Sequence, residues 1–312
     1  MTRLNKGTQI FKHKIIKHLG SGAFGDVYLA KNVISQQEQA LKVIQTASTD
    51  DIHMQVQEIQ NLAKCNCDYV VQLNEADLIT HDGKEYIAFA LEFLEQGSLE
   101  IKAKNSEISF REILKSIRDT LHALNVAHGN GIIHKDVKPA NIMIATPNFK
   151  LGDFGLSFLK NDADSESSLN YWLHAAPECL KGNAADERSD IYAVGMTLFR
   201  LVIPSAFFDL DQDSIDKWTR GTMKKNLPSF LGYPKYLPIR IKKIINKATA
   251  VSADDRYQTA IDMLHDIEKL QISIDWVQSA DGKNWKGKSN NGKSHKVFIC
   301  LLYTSPSPRD RG

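Results

Sequence analysis

Cysteine, long apolar runs and net charge are all scarce in this sequence of 312 residues. It has four cysteines, and Cys65-Asn66-Cys67 is spaced too tightly for a zinc knuckle, so we expect reduced thiols. No apolar stretch approaches the roughly 18 residues that a membrane helix needs. The basic N-terminus also lacks the apolar segment of a secretory signal. These absences predict a cytoplasmic protein with no membrane segment.

The small net charge limits the partners that we expect. The chain has 39 basic and 37 acidic residues, a net charge of +2, which is too small to indicate nucleic acid or an anionic membrane as the main partner. Hydrophobic residues make up 42% and charged residues 24%, which is typical of a globular protein with a full core. The length is enough for one large two-lobed domain or two ordinary domains.

The segment 300–312 differs in composition from the rest of the chain. Its beginning, Cys300-Leu301-Leu302-Tyr303-Thr304-Ser305-Pro306, resembles the translation of a transposase adaptor that is used to prepare sequencing libraries. We therefore predict that this segment is an adaptor artefact and that it interrupts the natural chain. A natural tail rich in serine and proline is the alternative, and sequencing the locus with long reads would decide between the two.

The most informative stretch places carboxylates, an amide and an ammonium group between short apolar segments. It reads His134-Lys135-Asp136-Val137-Lys138-Pro139-Ala140-Asn141, and Asp153-Phe154-Gly155 follows it. Asp136 can orient and deprotonate an attacking hydroxyl, and Lys138 can neutralise a moving phosphoryl group. Asn141 and Asp153 offer the hard oxygen ligands that magnesium prefers. The set predicts phosphoryl transfer, and the alternative is a polar turn between two strands.

The pattern H-x-D-x-K-P-x-N followed by D-F-G resembles the eukaryotic-type serine/threonine protein kinases. This resemblance covers about residues 10–271. It implies an α+β, two-lobed fold, with a small β-rich N-lobe that contains one key helix and a larger α-rich C-lobe. It also implies ATP and Mg²⁺ as cofactors, with Mn²⁺ as an alternative ion, and protein substrates that are phosphorylated on Ser/Thr hydroxyls.

A glycine-rich loop lies near the N-terminus. The stretch from Gly20 to Val27 reads G-x-G-x-x-G-x-V, in which glycines let backbone N–H groups approach phosphate oxygens. Dinucleotide-binding folds have a similar motif but begin a helix there, whereas the residues after Gly25 predict a strand. The resemblance implies nucleotide contacts from the loop residues Gly20, Ser21, Gly22, Ala23, Phe24 and Gly25.

A lysine and a glutamate are predicted to position ATP. Lys42 lies among apolar residues of a predicted strand, where a buried ammonium group needs an anion. The resemblance implies that Lys42 binds the α- and β-phosphates and pairs with Glu58, and that Val27 and Ala40 contact the adenine. The alternative is that Lys42 faces solvent and that Glu58 lies on a solvated helix face.

The chain between the predicted lobes supplies the rest of the nucleotide site. The resemblance makes Leu91 the gatekeeper and assigns the hinge that binds the adenine edge to Leu91, Glu92 and Leu94. It adds Met143 to the adenine site. Further along, Ser109 begins a capping box and predicts a long helix that ends near Gly129, just before the catalytic loop.

Three residues far apart in the chain match structural positions of the family. Glu178, in Ala176-Pro177-Glu178, is expected to form a bidentate ion pair with Arg256. Asp190 is expected to begin the central helix of the C-lobe and to support the catalytic loop. The polar segment 156–175 is the predicted activation segment, with Ser165, Ser167 and Ser168 as candidate autophosphorylation sites.

Two departures from the family pattern affect regulation and specificity. Lys135 replaces the arginine that commonly reads a phosphate on the activation segment, so we expect activity that depends little on such phosphorylation. Tyr171 and His174 stand where the pattern Thr-x-x-Tyr is usual, which leaves the preference for Ser/Thr to depend mainly on Lys138.

The predicted organisation is an extension (1–9), a kinase domain (10–271) divided near residue 94, a β-rich module (272–299) and the foreign tail (300–312). Within the kinase domain, the apolar patterns predict a strand at 70–78 and a helix at 259–270. Two other functions remain open from the residues alone. A pseudokinase scaffold would bind nucleotide without catalysis. A small-molecule phosphotransferase shares the lobes but lacks the Ala-Pro-Glu segment with its arginine partner.

Overall fold

The computed structural model describes residues 4–22, 25–46, 49–81, 83–105, 108–154, 173–203, 227–233, 237–279 and 284–298. Its N-terminal part is a six-stranded sheet with the order β1-β2-β3-β4-β6-β5, in which each neighbouring pair is antiparallel. The strands are β1 Gln9–Ile10, β2 His13–Gly22, β3 Gly25–Asn32, β4 Glu38–Gln45, β5 Leu73–His81 and β6 Lys84–Glu92. Helix α1, Thr49–Lys64, lies between β4 and β5 in the chain.

Each face of this sheet has its own apolar cluster because side chains alternate along each strand. One cluster includes Ile15, Tyr28 and Leu41 and is packed against Leu4 of the N-terminal arm, which we define as residues 4–8. The other, formed by Ile44, Ile87 and Phe89, packs against apolar residues of α1. The helix is therefore fixed to one face of the sheet and the N-terminal arm covers the opposite face.

The C-terminal part is mainly helical, and the catalytic loop lies between its second and third helices. The helices are α2 Leu99–Lys104, α3 Phe110–Gly129, α4 Pro177–Leu180, α5 Glu187–Val202, α6 Leu227–Leu231, α7 Ile239–Ala248 and α8 Ala260–Glu268. Between α3 and α4 lie a 3₁₀ turn, Pro139–Asn141, and the hairpin of β7 Ile142–Ile144 and β8 Phe149–Leu151. The α+β class with a β-rich N-lobe and a helical C-lobe is thus confirmed.

Helix α5 is the centre of the C-lobe, and helix α3 packs beside it. Almost every residue of α5 is buried, as its apolar sequence around the whole helix circumference predicts. A Cβ at Gly195 would lie 2.7 Å from the Cβ of Ala248, so the absence of a side chain allows α7 to pack closely there. The predicted capping box at Ser109 is present at the start of α3. Among the described residues, no helix is long and apolar enough to cross a bilayer.

Two predicted boundaries differ from the structure. A strand was expected from Val70, but β5 begins at Leu73, because Val70 forms a parallel bridge with Leu151 of β8 instead. The predicted helix 259–270 is shorter and ends at Glu268.

The segment after α8 contains a three-stranded antiparallel sheet. Its strands are β9 Ile274–Gln278, β10 Asn284–Ser289 and β11 Ser294–Phe298, in the order β11-β10-β9. Arg111 of α3 contacts this segment, because its backbone N–H donates to Asp275 at 2.8 Å and its guanidinium donates to the carbonyl of Ile272 at 2.9 Å. A separate module at 272–299 stays a prediction, and the tail 300–312 lies outside the described residues.

Candidate active site

The catalytic loop holds a nearly buried carboxylate between an ammonium group and an amide. Asp136 is 3% exposed. Its Oδ2 accepts hydrogen bonds from Lys138 Nζ and from Asn141 Nδ2, both at 2.7 Å. Burial raises the pKa of Asp136, while the charge and hydrogen bond of Lys138 act in the opposite direction. The loop thus presents a carboxylate that can accept a proton beside a cation that can meet a phosphate.

Helix α5 fixes the backbone of this loop. The two carboxylate oxygens of Asp190 accept the backbone N–H groups of His134 and Lys135, each at 2.8 Å. Nε2 of His128, at the end of α3, lies 2.9 Å from Oδ2 of the same carboxylate. Lys135 has φ = 65°, a strained conformation for a non-glycine residue, which these bonds stabilise. The support from Asp190 was predicted, although α5 begins at Glu187 and not at Asp190, and the contact of His128 was not predicted.

The imidazole of His134 links the catalytic loop to the Asp153 segment. The backbone N–H of Asp136 donates to His134 Nδ1 at 3.2 Å, so Nδ1 is an acceptor and Nε2 bears the proton. Nε2 then donates to the carbonyl of Gly152 at 3.1 Å. The ring also packs edge-on against Phe154, with centroids 4.6 Å apart. This buried histidine therefore sets the spacing between the two polar segments.

Lys42, Glu58 and Asp153 meet although they come from three separate elements. Lys42 Nζ lies 2.8 Å from Glu58 Oε1 and 3.8 Å from Asp153 Oδ1, and it also lies over the ring of Phe89. The Lys42 side chain is only 13% exposed, so it does not face solvent as the alternative prediction held. Burial raises the pKa of Glu58, and the charge of Lys42 opposes this rise. The two carboxylates thus hold the Lys42 ammonium group in a place where it can also bind an anionic ligand.

Asn141 and Asp153 have the oxygens that a hard metal ion requires. Both hydrogen bonds that Asn141 Nδ2 donates go to Asp136, at 2.7 Å and 2.8 Å, which leaves the amide oxygen of Asn141 as an available ligand. The Asp153 side chain is 48% exposed, and its backbone has φ = 57°. An amide oxygen and a carboxylate fit Mg²⁺, which keeps several waters among its ligands.

The glycine-rich loop is the turn of the β2–β3 hairpin. Gly22 and Gly25 form the last pair of this ladder, and Ala23 and Phe24 lie outside the described residues. Gly25 has φ = 142°, and a Cβ there would lie 2.5 Å from the carbonyl oxygen of Val43. Only glycine fits this position, because any side chain would displace the backbone of β4.

The predicted adenine contacts are half-buried apolar side chains on successive strands. Val27 of β3 and Ala40 of β4 lie on neighbouring strands, and Ala40 pairs with Leu91 of β6. Leu94 and Met143 are also half-buried, and Met143 bridges to Ser98 in front of α2. Apolar side chains of intermediate exposure are typical of a pocket that binds a flat aromatic ring.

The hinge itself is fixed by the side chain of Glu92. Its Oε1 accepts from Lys150 Nζ at 2.6 Å and from the backbone N–H of Gln72 at 2.8 Å. The Glu92 carboxylate is therefore occupied with β8 and with the segment before β5. Its predicted role in nucleotide binding falls to the backbone.

The predicted Glu178–Arg256 pair is present in bidentate geometry. Arg256 Nη1 lies 2.7 Å from Glu178 Oε1, and Nη2 lies 2.8 Å from Oε2. His174, just before this segment, is buried and lies 3.3 Å from Arg200 Nη1 of α5, a contact that the sequence did not predict. Tyr171 and the candidate phosphorylation sites Ser165, Ser167 and Ser168 lie outside the described residues.

Comparisons with known proteins agree with this geometry. The family model described as the protein kinase domain matches residues 13–267. Serine/threonine-protein kinase PrkC of Bacillus subtilis is 30% identical over 265 residues, which are 82% of this chain and 40% of that protein. A probable serine/threonine-protein kinase PknB of Lactococcus lactis is 27% identical over 82% of this chain and 41% of that protein. Serine/threonine-protein kinase PknB of Mycobacterium leprae is 26% identical over 81% and 42%. The chain thus spans about two fifths of the length of these relatives.

Proposed function

Because this chain belongs to the protein kinase family, we propose that it transfers the γ-phosphoryl group of ATP to serine and threonine hydroxyls of protein substrates. The observation that carries the proposal is the buried Asp136 carboxylate, bonded at 2.7 Å to both Lys138 and Asn141. The names of the relatives support the preference for Ser/Thr. We propose protein substrates, and no nucleic acid, as its partners. We also propose that the protein acts in the cytoplasm.

Each residue of the site has a separate role in the proposed reaction. Asp136 orients the substrate hydroxyl and accepts its proton. Lys138 stabilises the negative charge of the phosphoryl group in transfer, and Lys42, held by Glu58, positions the α- and β-phosphates. Because the protein forms no bond to the phosphoryl group, positioning and charge stabilisation account for nearly all of the catalysis.

Asn141 and Asp153 would hold a divalent cation, which we propose is Mg²⁺, with Mn²⁺ as a substitute. When bound, the cation neutralises charge on the phosphate oxygens. The residues' own contribution is to fix the metal-binding oxygens beside Asp136, since Asn141 is bonded to that carboxylate. We expect chelation of divalent ions to abolish transfer, and Asp153→Asn to raise the Mg²⁺ concentration that is needed for half-maximal activity.

Transfer of radiolabel from ATP to a generic protein tests the proposal. We expect the wild-type chain to label serine and threonine, and Asp136→Ala to lose about 10²–10⁴ in rate. Asp68→Ala is the matched control, since Asp68 is an exposed aspartate in the same chain. Nucleotide binding without transfer would favour a pseudokinase, and label on a sugar or amino alcohol alone would favour a small-molecule kinase. Phosphotyrosine as the main product would contradict the Ser/Thr preference.

A further inference from the structure

A buried carboxylate at the base of the glycine-rich loop is bonded to the side chains around it. Asp26 is 6% exposed, and its Oδ1 accepts the hydroxyl of Ser21 at 2.6 Å. His18 Nε2 lies 3.0 Å from the same oxygen, and the Tyr28 hydroxyl donates to Oδ2 at 3.4 Å. Burial alone would raise the pKa of Asp26, but the bonds from Ser21 and His18 outweigh it and hold the pKa below its ordinary value. The carboxylate is therefore ionised and a strong acceptor.

The Ser21–Asp26 hydrogen bond closes the hairpin next to its turn. These two residues face each other in the β2–β3 ladder, and the next pair, Gly22 with Gly25, is the last one before the loop apex. Glycines give the ladder no side-chain contact of their own. The Ser21–Asp26 pair is thus the side-chain contact between the strands that lies nearest to the loop, where cross-strand pairs stabilise a hairpin.

This pair supports the loop from the side away from the predicted adenine contacts. Asp26 and Tyr28 point to one face of β3, and Val27, between them, points to the other. Tyr28 is fully buried in the cluster under the N-terminal arm, and its hydroxyl accepts the backbone N–H of Leu4 at 3.1 Å. The side chains of this network therefore anchor the loop to the sheet without occupying the nucleotide side.

We propose that Ser21 and Asp26 are positioning residues for ATP, which hold the ends of β2 and β3 together at the base of the glycine-rich loop before ATP binds. This inference rests on the proposed function. Strand ends that are already joined lose less entropy when the phosphates bind beside them, so the pair strengthens ATP binding. The Ser21–Asp26 pair does not touch Asp136. Its removal should therefore leave the rate of the chemical step and the affinity for the protein substrate unchanged.

Removing the hydroxyl tests this role most directly. We expect Ser21→Ala to raise KM for ATP by about 3- to 10-fold, the range for loss of one hydrogen bond, with kcat nearly unchanged. Ser21→Thr keeps the hydroxyl and should restore the wild-type KM. Ser35→Ala is the matched control, because the Ser35 hydroxyl accepts a long 3.5 Å bond in the neighbouring β3–β4 turn and should leave KM unaltered. Calorimetric titration with ADP gives the affinity without any turnover.

The outcomes separate this inference from the proposed function. An unchanged KM for ATP and an unchanged ADP affinity in Ser21→Ala would overturn it, as would a fall in kcat alone. If the wild-type chain binds ADP but labels no protein, the proposed function fails, while the ADP affinities of the variants still decide the role of Ser21. Asp26→Ala should weaken ADP binding at least as much as Ser21→Ala. Thermal unfolding shows first whether this variant folds, and if it does not, the Ser21 variants decide the matter.

Discussion

The guanidinium of Arg256 offers the sharpest test of how the C-lobe is held together. All five of its N–H donors are used, two on the Glu178 carboxylate and three on the backbone carbonyls of Ala250, Val251 and Arg188, at distances from 2.7 to 3.2 Å. The side chain is 0% exposed, whereas that of Glu178 is 20% exposed. One residue therefore joins the Ala-Pro-Glu segment, the start of α5 and the loop after α7.

Arg256→Met should be strongly destabilising, because it removes one partner of a buried ion pair and leaves three carbonyls without this donor. Breaking such a pair costs about 3–5 kcal/mol. For a domain of this size, that is a fall of about 6–20 °C in the unfolding midpoint. Arg256→Lys keeps the charge but loses the planar fork, so we expect it to recover only part of the loss.

Urea unfolding followed by far-ultraviolet circular dichroism measures these differences in the free energy of unfolding. Arg188→Met is the matched control, since Arg188 also forms ion pairs at 2.7 Å, with Asp186 and with Asp254, but its side chain is 31% exposed. Exposed pairs contribute about 0–1 kcal/mol. A loss of unfolding free energy in Arg256→Met no larger than that in Arg188→Met would show that Arg256 does not hold these segments together.

Three further predictions concern the site and its support. Lys42→Met should lower kcat about 10²–10³-fold in the radiolabel assay, and Glu58→Gln should lower it less; wild-type rates would contradict the assigned roles. Because burial raises the pKa of Asp136 and a base must be ionised, kcat should fall as pH drops through that pKa. Lys138→Met removes the opposing charge and should move this acid limb of the pH–rate profile to higher pH; an unmoved limb would count against the pairing. Ser109→Ala should remove the α3 cap and cost about 1 kcal/mol, or about 2–4 °C in the unfolding midpoint, and an unchanged midpoint would contradict it.

The sequence alone predicted those parts of the site that are local in the chain. Asp136, Lys138 and Asn141 lie within six positions of one another, so one loop followed by a 3₁₀ turn is enough to bring their side chains together. The capping box at Ser109 was equally predictable, because capping depends on neighbours in sequence. The protein kinase family and the two-lobed α+β class followed from the same local motifs and are confirmed.

Contacts between distant segments were predicted where a family pattern marked both partners and were missed elsewhere. Lys42 with Glu58, and Glu178 with Arg256, belong to the first kind. His128 belongs to the second, because nothing about a histidine near a helix end shows that the first turn of α5 will place Asp190 beside it. The predicted start of β5 was wrong for the same reason, since the bridge between Val70 and β8 depends on how the two lobes meet.

The residue types that are available for phosphoryl transfer, and their order along the chain, can be read directly from the amino-acid sequence. Which of these residues meet, how deeply each is buried and, through burial, the directions in which the pKa values of Asp136 and Glu58 move all depend on the folded arrangement. Desolvation and pairing depend on the distance between atoms in space. That distance is set by the packing of the whole core, and separation along the chain does not encode it.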